Sequence, residues 1–164
     1  MKTVVFKDGL QCSIDNQDYH FIEQYAWYIG KSSGRNNTYY VKSTSSDGVT
    51  IYLHRLILGI TDKALKVDHI DGNGLNNTRT NLRLSSQSEN NCNVAKRLKM
   101  NGQSCYSQYK GVCRNKRKNK WVAYISFNNI RKHLGYFEDE CEAAKAYNIA
   151  ASSTHGKFAR LNNL

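Results

Sequence analysis

The sequence predicts an α+β protein built in two units, and three observations predict it. Short alternating apolar and polar segments, separated by Asn- and Gly-rich turns, mark strands in both halves. Two stretches change to helical spacing, one after Ser86 and one, rich in alanine, after Asp139. Between the halves, Asn93–Gln108 loses apolar periodicity and gains Lys, Ser, Asn and Gly, as a linker does. A chain of 164 residues suffices for one or two small domains, and the expected division is residues 1–95, a basic linker at 96–108, and residues 109–164.

In the first unit, strands are expected at Thr3–Phe6, Tyr39–Ser43 and Val49–Leu53, with turns at Asp8-Gly9 and Asp47-Gly48. Between them, Tyr19, Ile22, Tyr25, Ala26 and Trp27 give Gln17–Tyr28 the mixed pattern of a short helix. A short apolar run, Leu65 and Val67, then leads into a loop containing Asp71, Gly72, Asn73, Gly74, Asn76 and Asn77. A second strand at Asn81–Leu84 and a helix beginning within Ser86–Asn91 complete a strand, loop, strand, helix succession. In the second unit, Trp121, Ala123, Ile125 and Phe127 alternate with Val122, Tyr124 and Ser126, which predicts a strand with one apolar face. Asn128-Asn129 makes a tight turn into a partner strand, Ile130–Tyr136, because Asn tolerates positive φ. Asp139 caps a helix striped by Ala143, Ala146, Tyr147, Ala150 and Ala151.

The residues between Val67 and Asn91 carry chemistry. Phosphodiester hydrolysis needs a base for the attacking water, a cation against the developing charge, and a group that orients the base. His69 suits the base, since imidazole titrates near neutral pH, and the amide of Asn81 is the candidate to fix its tautomer. A hard divalent cation prefers oxygen ligands and retains several waters, so Asp68 and Asn90 suffice as protein ligands. A calcium loop fits poorly, because the third, fifth and twelfth positions from Asp68 are Ile70, Gly72 and Arg79.

VDHIDGN, NLR and SENN, preceded by YLHRLILG, resemble the HNH endonuclease family, in particular its homing branch. The resemblance implies a ββα-metal unit in which Asp68 and Asn90 bind one Mg²⁺, with Mn²⁺ able to substitute, His69 is the general base and Asn81 positions it. It also implies that YLHRLILG packs beside the metal hairpin and that cleavage leaves 3′-hydroxyl and 5′-phosphate ends; within that segment His54 and Arg55 are candidates to touch the scissile region, Arg55 as a phosphate clamp. Arg83, next to Asn81, is a further candidate for contact with DNA. One chain carries one such site, so one strand is expected to be nicked per chain, and a monomer is expected in preference to a dimer.

Charge locates the partner. The net charge of +11 arises entirely within Lys96–Lys132, which holds eleven Lys or Arg and no Asp or Glu. Such an unbalanced segment is the footprint of a polyanion partner, here double-stranded DNA, with RNA also compatible. Lys96, Arg97 and Lys99 place part of that charge in the linker. YKGV, KWVAYI, HLGYF, EAAKAYNIAA and ARLN resemble the plant ethylene-response-factor (Apetala-two) DNA-binding domain over nearly all of residues 109–164. That resemblance implies a three-stranded antiparallel sheet packed on one helix and laid in the major groove. Its outward residues would be Arg114, Lys116, Arg117, Lys118, Tyr124, Ser126, Arg131 and His133. Cys113, Ser126 and His133 depart from the residues that family carries. The alternative function is a DNA-binding regulator on an inactive nuclease scaffold, against which the intact Asp68, His69, Asn81 and Asn90 count.

The five cysteines are odd in number and show no C-x-x-C spacing, so no structural zinc is expected. No signal core or run of ~20 apolar residues is present, which predicts an intracellular (cytoplasmic) protein without a membrane partner.

Overall fold

The computed structural model of the chain describes residues 1–32, 38–96, 99–100, 103–104 and 106–164, with residues 99–100 and 103–104 as backbone. It divides into two units, Met1–Gln87 and Ser88–Leu164.

In the first unit, β1 (Lys2–Val5) and β2 (Gln11–Ile14) form an antiparallel hairpin that pairs Val4 with Cys12. The short helix α1 (His20–Gln24) leads to a second antiparallel sheet, β3 (Tyr28–Lys31), β4 (Tyr39–Thr44) and β5 (Thr50–Tyr52). Helix α2 (Leu53–Ile57) follows β5 directly. Then come β6 (Lys66–His69), the two-residue β7 (Asn76–Asn77), which joins β2 in parallel, and β8 (Leu82–Ser85), which pairs antiparallel with β6. Cys12, Ile14, Val41, Leu53, Ile57 and Leu82 form the core, each at most 6% exposed. Leu82 is the Cα partner of His69, so the core holds the hairpin at the histidine itself.

The expected helix over Gln17–Tyr28 shrinks to α1, and its flanks do other work. Asp18, 1% exposed, accepts a two-pronged bond from Arg79, at 2.8 Å from Nε and 2.7 Å from Nη2, so the preceding turn is tied to the loop before β8. The indole of Trp27 donates to the carbonyl of Phe21 at 2.9 Å, folding the chain back so that Tyr28 starts β3.

In the second unit, α3 (Gln87–Asn93) is followed by the paired two-residue strands β9 (Lys99–Met100) and β10 (Gln103–Ser104). A three-stranded antiparallel sheet, β11 (Val112–Asn115), β12 (Lys120–Phe127) and β13 (Ile130–Phe137), then packs on α4 (Glu140–His155). Strands β12 and β13 and the closing helix are those the alternation and the alanine stripe predict, and β11 adds the third strand. Asp139 caps α4, accepting from the amides of Cys141 at 2.8 Å and Glu142 at 3.0 Å. Asn128 and Asn129 take φ of 49° and 62°, the mirror-image turn that matches strand twist. Gly111 has φ 76°, and a Cβ there would stand 2.0 Å from the Tyr147 ring, so only glycine lets the sheet close on the helix.

The division falls earlier than the sequence pattern predicts. Most of α3 belongs with the second unit because its end is fastened there, by contacts described below. The stretch expected to be a plain linker carries the β9–β10 pairing, and Arg97 and Cys105 lie outside the described residues.

Candidate active site

The β6–β8 pairing sets Asp68 opposite Arg83 and His69 opposite Leu82. Successive strand residues point to opposite faces, yet Asp68 and His69 are 4% and 5% exposed, so both faces of the strand end are covered. Arg83 donates to Asp68 Oδ2 from Nε at 2.7 Å and from Nη2 at 2.5 Å. Its guanidinium thus lies on the carboxylate assigned to the metal, a placement different from the DNA contact that the sequence implied.

His69 sits in an aromatic box. Its ring centroid is 5.8 Å from that of Tyr40 and 5.2 Å from that of His54, and Tyr52 lies 5.4 Å from His54. Burial holds the His69 imidazole below the ordinary 6.5, against the opposing pull of its bond with Asn77 and the charges of Asp71 and Asp68. His54 is driven further, down to about 3, first by burial and then by His69 and Arg55. Both rings are therefore neutral at physiological pH. Nδ1 of His54 is buried and has no hydrogen-bond partner among the described residues.

The amide that meets His69 is that of Asn77. His69 Nε2 meets Asn77 Oδ1 at 3.4 Å, while the Asn77 Nδ2 donates to Cys12 Sγ at 3.3 Å and to the Gly74 carbonyl at 3.4 Å. Those two acceptors turn the amide so that its oxygen faces the imidazole, which places the proton on Nε2 and the lone pair on Nδ1. Asn81, expected beside His69, bonds elsewhere. Its Oδ1 accepts from the Asp71 amide at 3.0 Å, and its Nδ2 donates to Asp71 Oδ1 at 3.0 Å and to the Asn76 carbonyl at 2.9 Å. It staples the loop between β6 and β7. Gly74 lets that loop close on β4, since a Cβ there would lie 2.3 Å from the Tyr39 carbonyl and 2.7 Å from the Tyr40 ring.

Arg55 donates to the carbonyls of Leu65 at 2.8 Å and Asp62 at 2.5 Å, which anchors the approach to β6. Asn90 is half-buried in α3. Asn77, Tyr40 and Tyr52 escaped the sequence reading as site residues. Asn77 stood among the loop asparagines, Tyr40 in the strand expected at Tyr39–Ser43 and Tyr52 at the head of YLHRLILG, and only the fold distinguishes them.

In the second unit, the strand register puts Tyr124 opposite His133 and Ser126 opposite Arg131 on the sheet face turned from α4. There Arg131 lies over the Tyr124 ring at 3.8 Å, His133 contacts Tyr124 and Tyr136 at 5.3 and 4.8 Å, and Lys118 lies over Tyr136 at 4.0 Å. The result is a row of three rings, Tyr124, His133 and Tyr136, with a cation at either end. Arg114 departs from the outward set, because its Cα partner is Trp121, whose ring it covers at 5.0 Å on the helix side. Lys116 and Arg117 are exposed, and Lys116 lies 4.9 Å from the Tyr106 ring. Lys96 donates to the Val112 carbonyl at 3.0 Å. Arg97 and the side chain of Lys99 lie outside the described residues.

A neutral imidazole with a fixed tautomer, next to a buried carboxylate on a strand that leads through a hairpin into a helix, defines a nuclease of the ββα kind. The profile of the HNH endonuclease family matches residues 52–92, the span from Tyr52 through His54, Asp68, His69 and Asn81 to Cys92. The chain is also 34% identical over 148 residues to an uncharacterized HNH endonuclease of Acanthamoeba polyphaga mimivirus, covering 87% of this chain and 70% of the relative. The chain belongs to the HNH endonuclease family, and it is a nuclease, a hydrolase acting on DNA.

No helix among the described residues is long and apolar enough to cross a membrane.

Proposed function

We propose that the chain is a Mg²⁺-dependent DNA endonuclease of homing type that nicks one strand per chain, with His69 as general base. The observation that carries this reading is the His69 environment: burial keeps the ring neutral, and Asn77 leaves Nδ1 as the proton acceptor. His69 Nδ1 takes a proton from water, the water oxygen attacks phosphorus, and the 3′ oxygen leaves. Asp68 and Asn90 are the proposed metal ligands, with Mn²⁺ as a substitute. The donor chemistry fits, because Asp68 and Asn90 offer a carboxylate and an amide oxygen, hard donors of the kind such an ion takes, and the Arg83 guanidinium on Asp68 Oδ2 would give way to it. Among the described residues, no three His, Cys, Asp or Glu side chains converge on one point. One carboxylate and one amide oxygen suit an ion that keeps most of its water. A bound Mg²⁺ supplies positive charge against the scissile phosphate.

The second unit is the proposed DNA reader. Its fold order of three strands and a helix and its cationic face support the resemblance to the Apetala-two domain and a major-groove placement of the sheet. A basic face of this kind supports DNA as the partner, and a monomer is the proposed working form.

Incubation with supercoiled plasmid tests the proposal. Open circle should form with Mg²⁺, not with EDTA, and His69→Ala should lose ~10²–10⁴ in rate while retaining DNA affinity. Cleavage by His69→Ala at the parent rate would sink the assignment.

A further inference from the structure

We propose that Lys110 is a positioning residue for Asn90, its ammonium fixing the helix that presents this ligand to the metal. The inference rests on the proposed role of Asn90.

Helix α3 has seven residues, too few to be stable alone. Its last carbonyls need partners, and no glycine follows Asn93 to close the end in the usual left-handed turn. Lys110 supplies the closure. Its Nζ donates to the carbonyls of Cys92 and Val94, the latter at 2.6 Å, and places a positive charge where the helix dipole is negative. Two residues before Cys92 stands Asn90. A second tie joins the same turn to α4, with Cys92 Sγ 3.4 Å from His155 Nδ1.

Lys110 is itself held by nested amides. Asn162 accepts from the Lys110 amide at 2.6 Å and donates to its carbonyl at 3.0 Å. Asn148 of α4 does the same for Asn162, accepting from its amide at 2.8 Å and donating to its carbonyl at 2.9 Å. An unbroken series of bonds therefore runs from α4 through the C-terminal tail and Lys110 to α3. Burial brings the Lys110 ammonium down to about 8, a cost that a merely solvating lysine would not bear. The end of α3 thus takes its position from the proposed DNA-reading unit.

The test uses the full chain and Mn²⁺, with the EPR signal of the free ion reporting metal binding. Lys110→Met keeps the unbranched apolar stem and removes the cation. A cavity of about 340 Å³, lined in part by Asn91, Cys92, Lys110, Tyr147 and His155, leaves room for water beside Cys92 in place of the ammonium, so the fold should persist. Lys110→Met should weaken Mn²⁺ binding at least ~10-fold, as loss of an outer-shell partner does, without changing DNA affinity in EDTA. Asn90→Ala should do the same, the double variant should be no worse than Asn90→Ala, and Lys110→Arg should recover part of the loss. Wild-type Mn²⁺ binding by Lys110→Met beside weakened Asn90→Ala overturns the positioning role and leaves the Asn90 reading standing. Losses that simply multiply in the double variant overturn it too. Wild-type binding by Asn90→Ala removes the reading and this inference with it. If Lys110→Met shows no cooperative thermal transition, Asn162→Ala, remote from α3, must weaken Mn²⁺ binding several-fold, and unchanged binding there overturns the proposal.

Discussion

The ring of His54 stands edge-on to that of His69, their centroids 5.2 Å apart and their planes at 82°. With Tyr40 and Tyr52 closing the box, the pair is folded neutral, and this ties stability to pH. In the unfolded chain each imidazole binds a proton near 6.5, whereas folded His54 does so only at about 3. Between those values the unfolded state holds more protons, so stability falls as pH falls, by up to ~1.4 kcal/mol per pH unit for His54. His69, also lowered, adds to the upper part of that window. His54→Phe keeps a ring in the box and removes one titration. Urea midpoints measured from pH 7.5 to 5 should therefore decline less steeply in His54→Phe, by about one proton, and parallel declines would disprove a neutral folded His54.

Asn77 and Asn81 should fail differently. Asn77→Ala removes the acceptor that keeps the proton on His69 Nε2, so nicking should slow by ~10² with little change in DNA affinity. Asn81→Ala removes two bonds to Asp71 and one to Asn76, so its main loss should be thermal stability, on the order of 2–3 kcal/mol. A single-turnover rate and a melting curve for each variant separate the two, and an Asn81→Ala protein that melts normally yet does not nick would return the orienting role to Asn81.

The strand–loop–strand–helix succession and the Asp68-His69 pair were legible because strand alternation and turn chemistry are local. So was the closing unit, where Ala143 and Tyr147 announce the buried stripe and Asn128-Asn129 the turn. The assignment of amides was not local. Asn77 reaches His69 only because β7 lies in parallel against β2, where Cys12 turns its amide, a pairing 65 positions apart. Strand β2 did leave a trace, since buried Cys12 and Ile14 alternate with Gln11 and Ser13. The length of α1 was hidden because Asp18 is committed to Arg79, and propensity carries no sign of a partner that far along the chain. Arg55 shows the same limit, as its carbonyl partners at Asp62 and Leu65 are set by how the chain returns.

Arg83 and the metal should compete for Asp68. The ion pair is buried, with side chains 13% and 5% exposed, so removing one partner strands a charge. Arg83→Met should lose ~3–5 kcal/mol of stability in EDTA. Millimolar Mg²⁺ should restore much of the melting temperature in the variant and shift the parent less, since only the variant has an unmatched carboxylate. Equal shifts in the two proteins, followed by calorimetry, would show that Asp68 does not bind the ion.

The cations of the second unit divide between structure and DNA. Of the eleven in Lys96–Lys132, Lys96 and Lys110 bind carbonyls, Arg114 covers Trp121, and Lys120 pairs with Glu138 at 2.7 Å. Lys116, Arg117, Lys118, Arg131 and Lys132 are the exposed ones among the described residues. With Arg131 set aside for a base edge, four phosphate contacts give a slope of log K against log[salt] of about −3.5, and replacing Lys116, Arg117 and Lys118 together with Ala should reduce it by about 3. That triple variant should weaken binding to every sequence alike, because phosphate contacts position without specifying. Arg131 differs, since it lies over Tyr124 with Ser126 opposite, in the middle of the outward face. If its guanidinium reaches a guanine edge, Arg131→Ala should cost ~1–3 kcal/mol on the target alone and leave non-specific binding almost unchanged. Fluorescence-anisotropy titrations across a salt series decide between the two classes of contact, and a triple variant with the parent slope would move DNA binding off this face.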